Sequence, residues 1–235
     1  TDHPRQHALT YRGTTRGFVL SGDLAESLRA LGRRQGNTLF MVLVATWKAL
    51  LRYYSRSDDI VVGTDIANRN LPETEELIGF FVNQLVLRSD LSGDPSFTDL
   101  LARVREVTLD AYAHQDLPFE MLVQALGHPR ELGRTPLFQA KIVLQNVPTR
   151  SHEARSLIFR PFAVESRTAK FDLLLSLMEM EHGLGGRLEY STDLFRPQTI
   201  ERMLEQYELV LNEVVTRPEI RLSEINELLA EADRK

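Results

Sequence analysis

Apolar positions follow two rhythms along this chain: a period near 3.6 residues that marks helices buried on one side, and short alternating or unbroken runs that mark strands. Phe18 to Leu20 reads as a strand, and Leu24, Leu28 and Leu31 after Asp23 predict an amphipathic helix bracketed at its end by Gly32 and Gly36. Asn37 or Thr38 can cap the next helix, which runs to about Tyr54 and is apolar on nearly every side, as a central buried helix must be. Ile60 to Val62, closed by Gly63, has the unalternating pattern of a strand covered on both faces.

A polar loop, Asp65 to Glu76, precedes a second β-rich run from Phe80 to Leu87, and Asp90 to Pro95 forms a turn. Ser96 caps a helix that carries Phe97, Leu100, Leu101, Val104 and Val107, and Pro118 opens another, stopped by Gly127 and Pro129. Three β-type segments follow near Phe138–Gln145, Leu157–Val164 and Asp172–Met180, the last turning through Gly183 to Gly186 into Arg187–Ser191. Pro197 begins a long helix with Ile200, Met203, Leu204, Tyr207, Val210, Leu211 and Val214 on one stripe, ending before Pro218. Glu219 to Lys235 reads as a linker. The irregular alternation, with several consecutive late strands, predicts an α/β (α+β-like) fold with a mixed sheet and packed helices.

Composition narrows the chemistry. With 28 Lys+Arg against 33 Asp+Glu, a net charge of −5 and no basic run, nucleic acid is not expected as a partner. The chain has no Cys, which removes thiol nucleophiles, disulfides and Cys-ligated metals. The longest apolar stretch, Leu39 to Ala45, is too short to span a bilayer, and no secretory h-region is present, so no membrane partner and a cytoplasmic location are expected. Nucleotide-binding, dinucleotide-binding and serine-hydrolase motifs are absent. Glu179, Glu181 and His182 read as a strand's solvent face beside a turn, so no metal is expected.

Two polar sites interrupt this pattern. His114 and Asp116 lie between two helices, where they can satisfy the last carbonyls of one and the first N–H groups of the other, in preference to a catalytic role. Asn83 and Gln84 place side-chain amides in an apolar strand, where each needs a partner. That partner is either an amide-bearing ligand or neighbouring backbone.

Four ordered motifs resemble the condensation domains of nonribosomal peptide synthetases, which have the chloramphenicol acetyltransferase-like fold: Asp59 to Arg69, Ile78 to Arg88, His114 to Glu120, and Arg130 to Gln139. The resemblance covers essentially the whole chain. It implies that residues 1–218 form the C-terminal lobe of such a domain, with 219–235 leading towards an adenylation domain. The family's catalytic His-His-x-x-x-Asp-Gly motif is absent, since the chain has no His-His pair, so no catalytic residue is assigned and the isolated chain is expected to be inactive. The implied reaction joins a donor acyl or peptidyl thioester to an acceptor aminoacyl thioester, with an L-configured donor and acceptor. Both substrates ride on 4'-phosphopantetheine arms of upstream and downstream carrier domains, and the chain itself binds no cofactor directly.

By the same resemblance, Gly63, Thr64, Asp65, Asn68 and Arg69, with Gly79, Phe80, Asn83 and Gln84, are the expected tunnel wall. Asn83 and Gln84 would bond pantetheine or substrate amides, while His114, Asp116, Arg134 and Gln139 mark structural motifs. Two departures stand out: Asp65-Ile66 where many members have Pro, and Gly133 where Ser is usual before the Arg. The remaining partner is the N-terminal lobe, against which an apolar face is expected. The alternatives are a degenerate condensation-like domain that recruits a partner enzyme, and an epimerisation or cyclisation domain.

Overall fold

A computed structural model describes residues 1–69, 71–127, 131–145, 152–154, 157–159 and 167–234. Strand β1 (Gly13–Ser21) leads into α1 (Gly22–Arg34), capped by Ser21 Oγ, which accepts from the Leu24 amide at 3.2 Å. Helix α2 (Leu39–Ser55) is capped by Thr38 and followed by β2 (Asp59–Ile66), the single turn α3 (Pro72–Glu75) and β3 (Asn83–Asp90). Ser96 and Asp99 form a reciprocal capping box at the start of α4 (Phe97–Ala113), and α5 (Phe119–Ala125) follows. The remaining elements are β4 (Ala140–Gln145), β5 (His152–Ala154), β6 (Leu157–Phe159), β7 (Leu173–Met180), β8 (Gly183–Ser191), α6 (Pro197–Thr216) and α7 (Leu222–Ala232).

Six strands form one mixed sheet in the order β1-β8-β7-β4-β2-β3, parallel where β4 meets β2 and β7, and antiparallel elsewhere. This is the architecture the sequence pattern predicts. Leu173, Leu175 and Leu177 of β7 are buried while Leu174, Ser176 and Met178 between them are half-buried, so one face packs under the helices and the other is more open. Helix α2 lies at the centre of the covered face, with Met41 to Leu50 buried without interruption. Trp47 meets Tyr207 of α6 edge-on at 5.7 Å, and the Tyr207 hydroxyl donates to the Leu43 carbonyl at 3.1 Å.

Lys48 is the charged exception within that buried run. Its Nζ donates to the Leu87 carbonyl at 2.8 Å and to Ser89 Oγ at 2.6 Å, joining α2 to β3 through two neutral acceptors. Burial pushes its pKa down to about 7, with the Asp59 carboxylate pulling the other way.

The structure departs from the sequence reading at several elements. Strand β3 begins at Asn83 instead of Phe80, because Phe80 stands 93% exposed and has no neighbouring strand to bury it. The β7–β8 turn is Glu181-His182, and the glycines expected there lie inside β8, where the Phe18 ring covers Gly186 and leaves no room for a Cβ. The segment read as Leu157–Val164 falls within the described residues only at Leu157–Phe159, a strand paired with β5.

Residues 219–235, read as a linker, carry helix α7. Leu222, Ile225 and Leu229 share one face and are buried, and the preceding turn is tied to the start of α4 by Phe97 N–H to Ile220 O at 2.8 Å. At the far end Asp233 accepts from Gln206 Nε2 at 2.9 Å and from the Tyr53 hydroxyl at 2.5 Å. Apolar spacing of i, i+3 and i+7 makes this segment part of the core.

Two outcomes follow. Ile225→Ala should lower unfolding free energy by about 2–4 kcal/mol in urea titration, the cost of a buried cavity, whereas a solvated linker would show no change. Between pH 7 and the ordinary lysine range, the unfolded chain holds a proton that folded Lys48 has released, so stability rises with pH across that window. Lys48→Met should flatten that rise in urea midpoints measured from pH 6 to 10.

Candidate functional site

On the more open face of the sheet, Gly63 and Asp65 of β2 lie beside Lys141 of β4 and Gln84 of β3, with Gly63 opposite Lys141 and Asp65 opposite Gln84. Gly63 has no side chain, and the ring of Phe138 occupies the place its Cβ would take. Phe138 is flanked by Phe119 of α5 and by Phe171, each 5.6 Å away between ring centroids. One ring thus covers the glycine, and two rings from other segments pack against that ring.

These rings, with Tyr11, Gln84 and Thr135, line a cleft of about 560 Å³. It adjoins a second cavity of about 730 Å³ that shares Tyr11, Gln84 and Phe119 and reaches Val123, Glu131 and Arg134. Arg5 holds the N-terminal segment at this edge, pairing with Asp172 and donating to the Gly133 carbonyl at 3.1 Å. A Cβ at Gly133 would overlap the Gln6 carbonyl, which accounts for glycine at that departure from the family pattern.

Beneath the rings lies a charge pair. Lys141 is 4% exposed, and its Nζ sits 2.6 Å from Asp65 Oδ1 and 4.8 Å from the centroid of Phe171. Asp65 Oδ1 also accepts from Gln84 Nε2 at 3.5 Å, so the pair and the amide form one polar chain below an aromatic surface.

The expected wall residues separate into groups. Gln84 lines both cavities and is bonded from behind by Asp65, Gly63 lies under Phe138, and Arg134 and Gln139 border the second cavity. Thr64 is corrected: at 2% exposure it points into the helix-covered core, because β residues alternate sides. Asn68 adopts a positive φ of 51°, and Arg69 lies 4.3 Å over the Phe81 ring and donates to the Thr74 carbonyl, so this pair shapes the loop. Gly79 and Phe80 are exposed and line neither cavity.

Asn83 is also corrected. Its Nδ2 donates to the Gln115 and Leu117 carbonyls, both at 2.8 Å, and its Oδ1 accepts from the Gln84 and Phe119 amides at 2.9 and 3.1 Å. Internal backbone takes up this amide, which locks β3 to the α4–α5 connection and leaves it no capacity for a ligand. His114 closes α4, exposed, with Nδ1 2.9 Å from the Asp110 carbonyl, and Asp116 is exposed in the same connection. His114 thus bonds the last turn of α4, whereas at the start of α5 the Phe119 amide is taken by Asn83 Oδ1.

Sequence reasoning missed Lys141 and the aromatic set. A lone lysine within the apolar run from Phe138 to Leu144 was a readable signal, since lysine is rarely buried unpaired. The convergence of Tyr11, Phe119 and Phe171 had none, because tertiary folding alone joins them. Chemically the cleft can bind and orient an apolar group beside a neutral amide, and no imidazole stands among its described lining residues. No helix among the described residues is long and apolar enough to cross a membrane.

Comparison with known proteins places this geometry in context. The family described as "Condensation domain" matches residues 1–235. The chain is 40% identical over 235 residues to gramicidin S synthase 2 of Brevibacillus brevis, covering 100% of this chain and 5% of that protein. It is 48% identical over 202 residues to malpinin synthetase of Mortierella alpina, covering 86% of this chain and 3% of that protein. The chain therefore spans a small fraction of the length of either synthetase. Among solved structures it resembles the X-domain from teicoplanin biosynthesis, with TM-score 0.84 and 29% identity over 94% of this chain and 51% of that one. It shares its fold with holo-AB3403, a four-domain nonribosomal peptide synthetase, at TM-score 0.88 and 24% identity over 95% of this chain and 18% of that one.

The bonding of Asn83 yields a prediction. Asn83→Ala strands several buried backbone groups and should cost about 2–4 kcal/mol of stability. An unchanged urea midpoint would contradict the structural role.

Proposed function

The chain belongs to the condensation-domain family of nonribosomal peptide synthetases, and we propose that it is the C-terminal lobe of a domain forming an amide bond between two carrier-bound thioesters. The observation that carries this reading is the convergence of residues from three separate family motifs, Gln84, Phe119 with Glu120, and Arg134 with Gln139, around one pair of adjoining cavities, with Asp65 bonded to Gln84 and Gly63 lying under Phe138. The acceptor's amine nitrogen attacks the donor's thioester carbonyl, a C–N bond forms, the C–S bond breaks, and the donor's pantetheine thiol leaves. The amine's proton passes through a base to that sulfur.

This lobe holds the substrates and leaves the proton transfer to the facing lobe, where the family's His-His-x-x-x-Asp-Gly motif supplies an imidazole. Its own contribution is alignment: a wall that orients the two arms raises their effective concentration and excludes water. Gln84, held by Asp65, is the amide available to bond a pantetheine or substrate amide. Ile78, Phe80, Val82, Leu117 and Met121 are exposed apolar side chains suited to burial against the N-terminal lobe. Upstream and downstream carrier domains bring the 4'-phosphopantetheine arms, an adenylation domain follows α7, donor and acceptor are L-configured, and the setting is the cytoplasm.

Likeness to the X-domain, which has been solved in complex with OxyB, favours one alternative: a lobe whose domain recruits an enzyme and forms no bond. Turnover separates the two. With two loaded carrier domains, the chain alone should give no dipeptide, and the intact parent domain should. Gln84→Ala in that domain should lower kcat/KM about tenfold, the loss of one hydrogen bond. Product from the chain alone would contradict the division of labour, and no product from the intact domain would favour recruitment.

A further inference from the structure

The cleft has a composition that selects among substrates. Its walls are the rings of Phe119, Phe138 and Phe171 with Tyr11 at the rim, and its polar lining is mostly neutral. The one buried cation near its floor, Lys141, is neutralised by Asp65 at 2.6 Å. The charge is therefore cancelled beneath the aromatic surface, and the floor presents no net charge to a guest. The charged residues that line the space, Lys170 in the cleft and Glu120, Glu131 and Arg134 in the second cavity, are all exposed, so they stand at its solvent margin, while an apolar ring would meet ring edges and faces on several sides. At about 560 Å³, continuous through Tyr11 and Gln84 with a further 730 Å³, the space exceeds what a small side chain could fill.

We infer that this cleft is a side-chain pocket that selects a bulky apolar, aromatic-sized aminoacyl group on one of the two thioester substrates. The inference rests on the condensation reading above and adds the substrate class. Asp65 and Lys141 act as positioning residues: they fix the Gln84 amide against the aromatic wall and keep that wall uncharged. Val123 on α5 and Leu9 on the N-terminal segment are half-buried and both line the second cavity, where a larger side chain would narrow it.

The test uses the intact parent condensation domain and non-reacting pantetheine amides bearing alanyl or phenylalanyl groups. Each probe is made with a free amine, as in an acceptor, and N-acetylated, as in a peptidyl donor. Calorimetric titration is run on the native domain and on Val123→Trp and Leu9→Trp. Narrowing should weaken the phenylalanyl probe by about tenfold or more while leaving the alanyl probe unchanged, and the arm in which this occurs identifies the substrate as acceptor or donor. Thermal melting checks each variant, and because the two substitutions lie on separate segments, unfolding of one leaves the other to decide.

Equal weakening of both probes, or no change in either arm, overturns the inference and means that another part of the protein fills the cleft. Size-selective binding without product formation would remove the proposed activity and leave the pocket. Product formation without size selectivity would do the reverse.

Discussion

Where β2 passes beneath the connection into β4, the ring of Phe138 rests in the space that any side chain at residue 63 would occupy. That contact fixes the height of Phe138 above the sheet, and Phe119 and Phe171 pack against its two sides. Their position in turn sets the walls of the cleft. A Cβ at residue 63 would lift the central ring, and close-packed interiors absorb such shifts poorly. Glycine here serves close approach, since its backbone does not have a positive φ.

The rest of the fold supplies a rigid floor for this arrangement. Helix α2, buried for ten consecutive residues from Met41 to Leu50, fills one face of the sheet and leaves the other to carry the site. Two lysines enter this apolar frame, and the structure accommodates them differently. Lys48 finds only neutral acceptors, so burial lowers its pKa, while Lys141 lies against a carboxylate. Both join neighbouring elements, Lys48 linking α2 to β3 and Lys141 linking β4 to β2.

Elements with a single strong period were legible in the sequence. The stripe from Ile200 to Val214 and the caps at Thr38 and Ser96 appear as read, because local spacing and a side-chain oxygen settle them. Phe80 to Val82 was misread because apolar composition alone cannot tell a strand from an exposed loop. Asn83 stayed ambiguous because its four backbone partners come from Gln84 and from residues more than thirty positions away. Helix α7 was passed over although Leu222, Ile225 and Leu229 carried the helical period. Of the site, the motif residues Gly63, Asp65 and Gln84 could be named in advance, but the aromatic wall depends on contacts between segments that no local pattern records.

A site built this way positions substrates through shape, with its proton chemistry supplied from across the interface. The contact at Gly63 is therefore the point at which the account is most exposed. A double-mutant cycle of Gly63→Ala and Phe138→Ala, read as unfolding free energy in urea, tests it directly. With Phe138 in place Gly63→Ala should cost about 1–3 kcal/mol, and in the Phe138→Ala background that cost should vanish. Equal costs in both backgrounds would show that the ring does not rest on the glycine, and the cleft as described would lose its foundation.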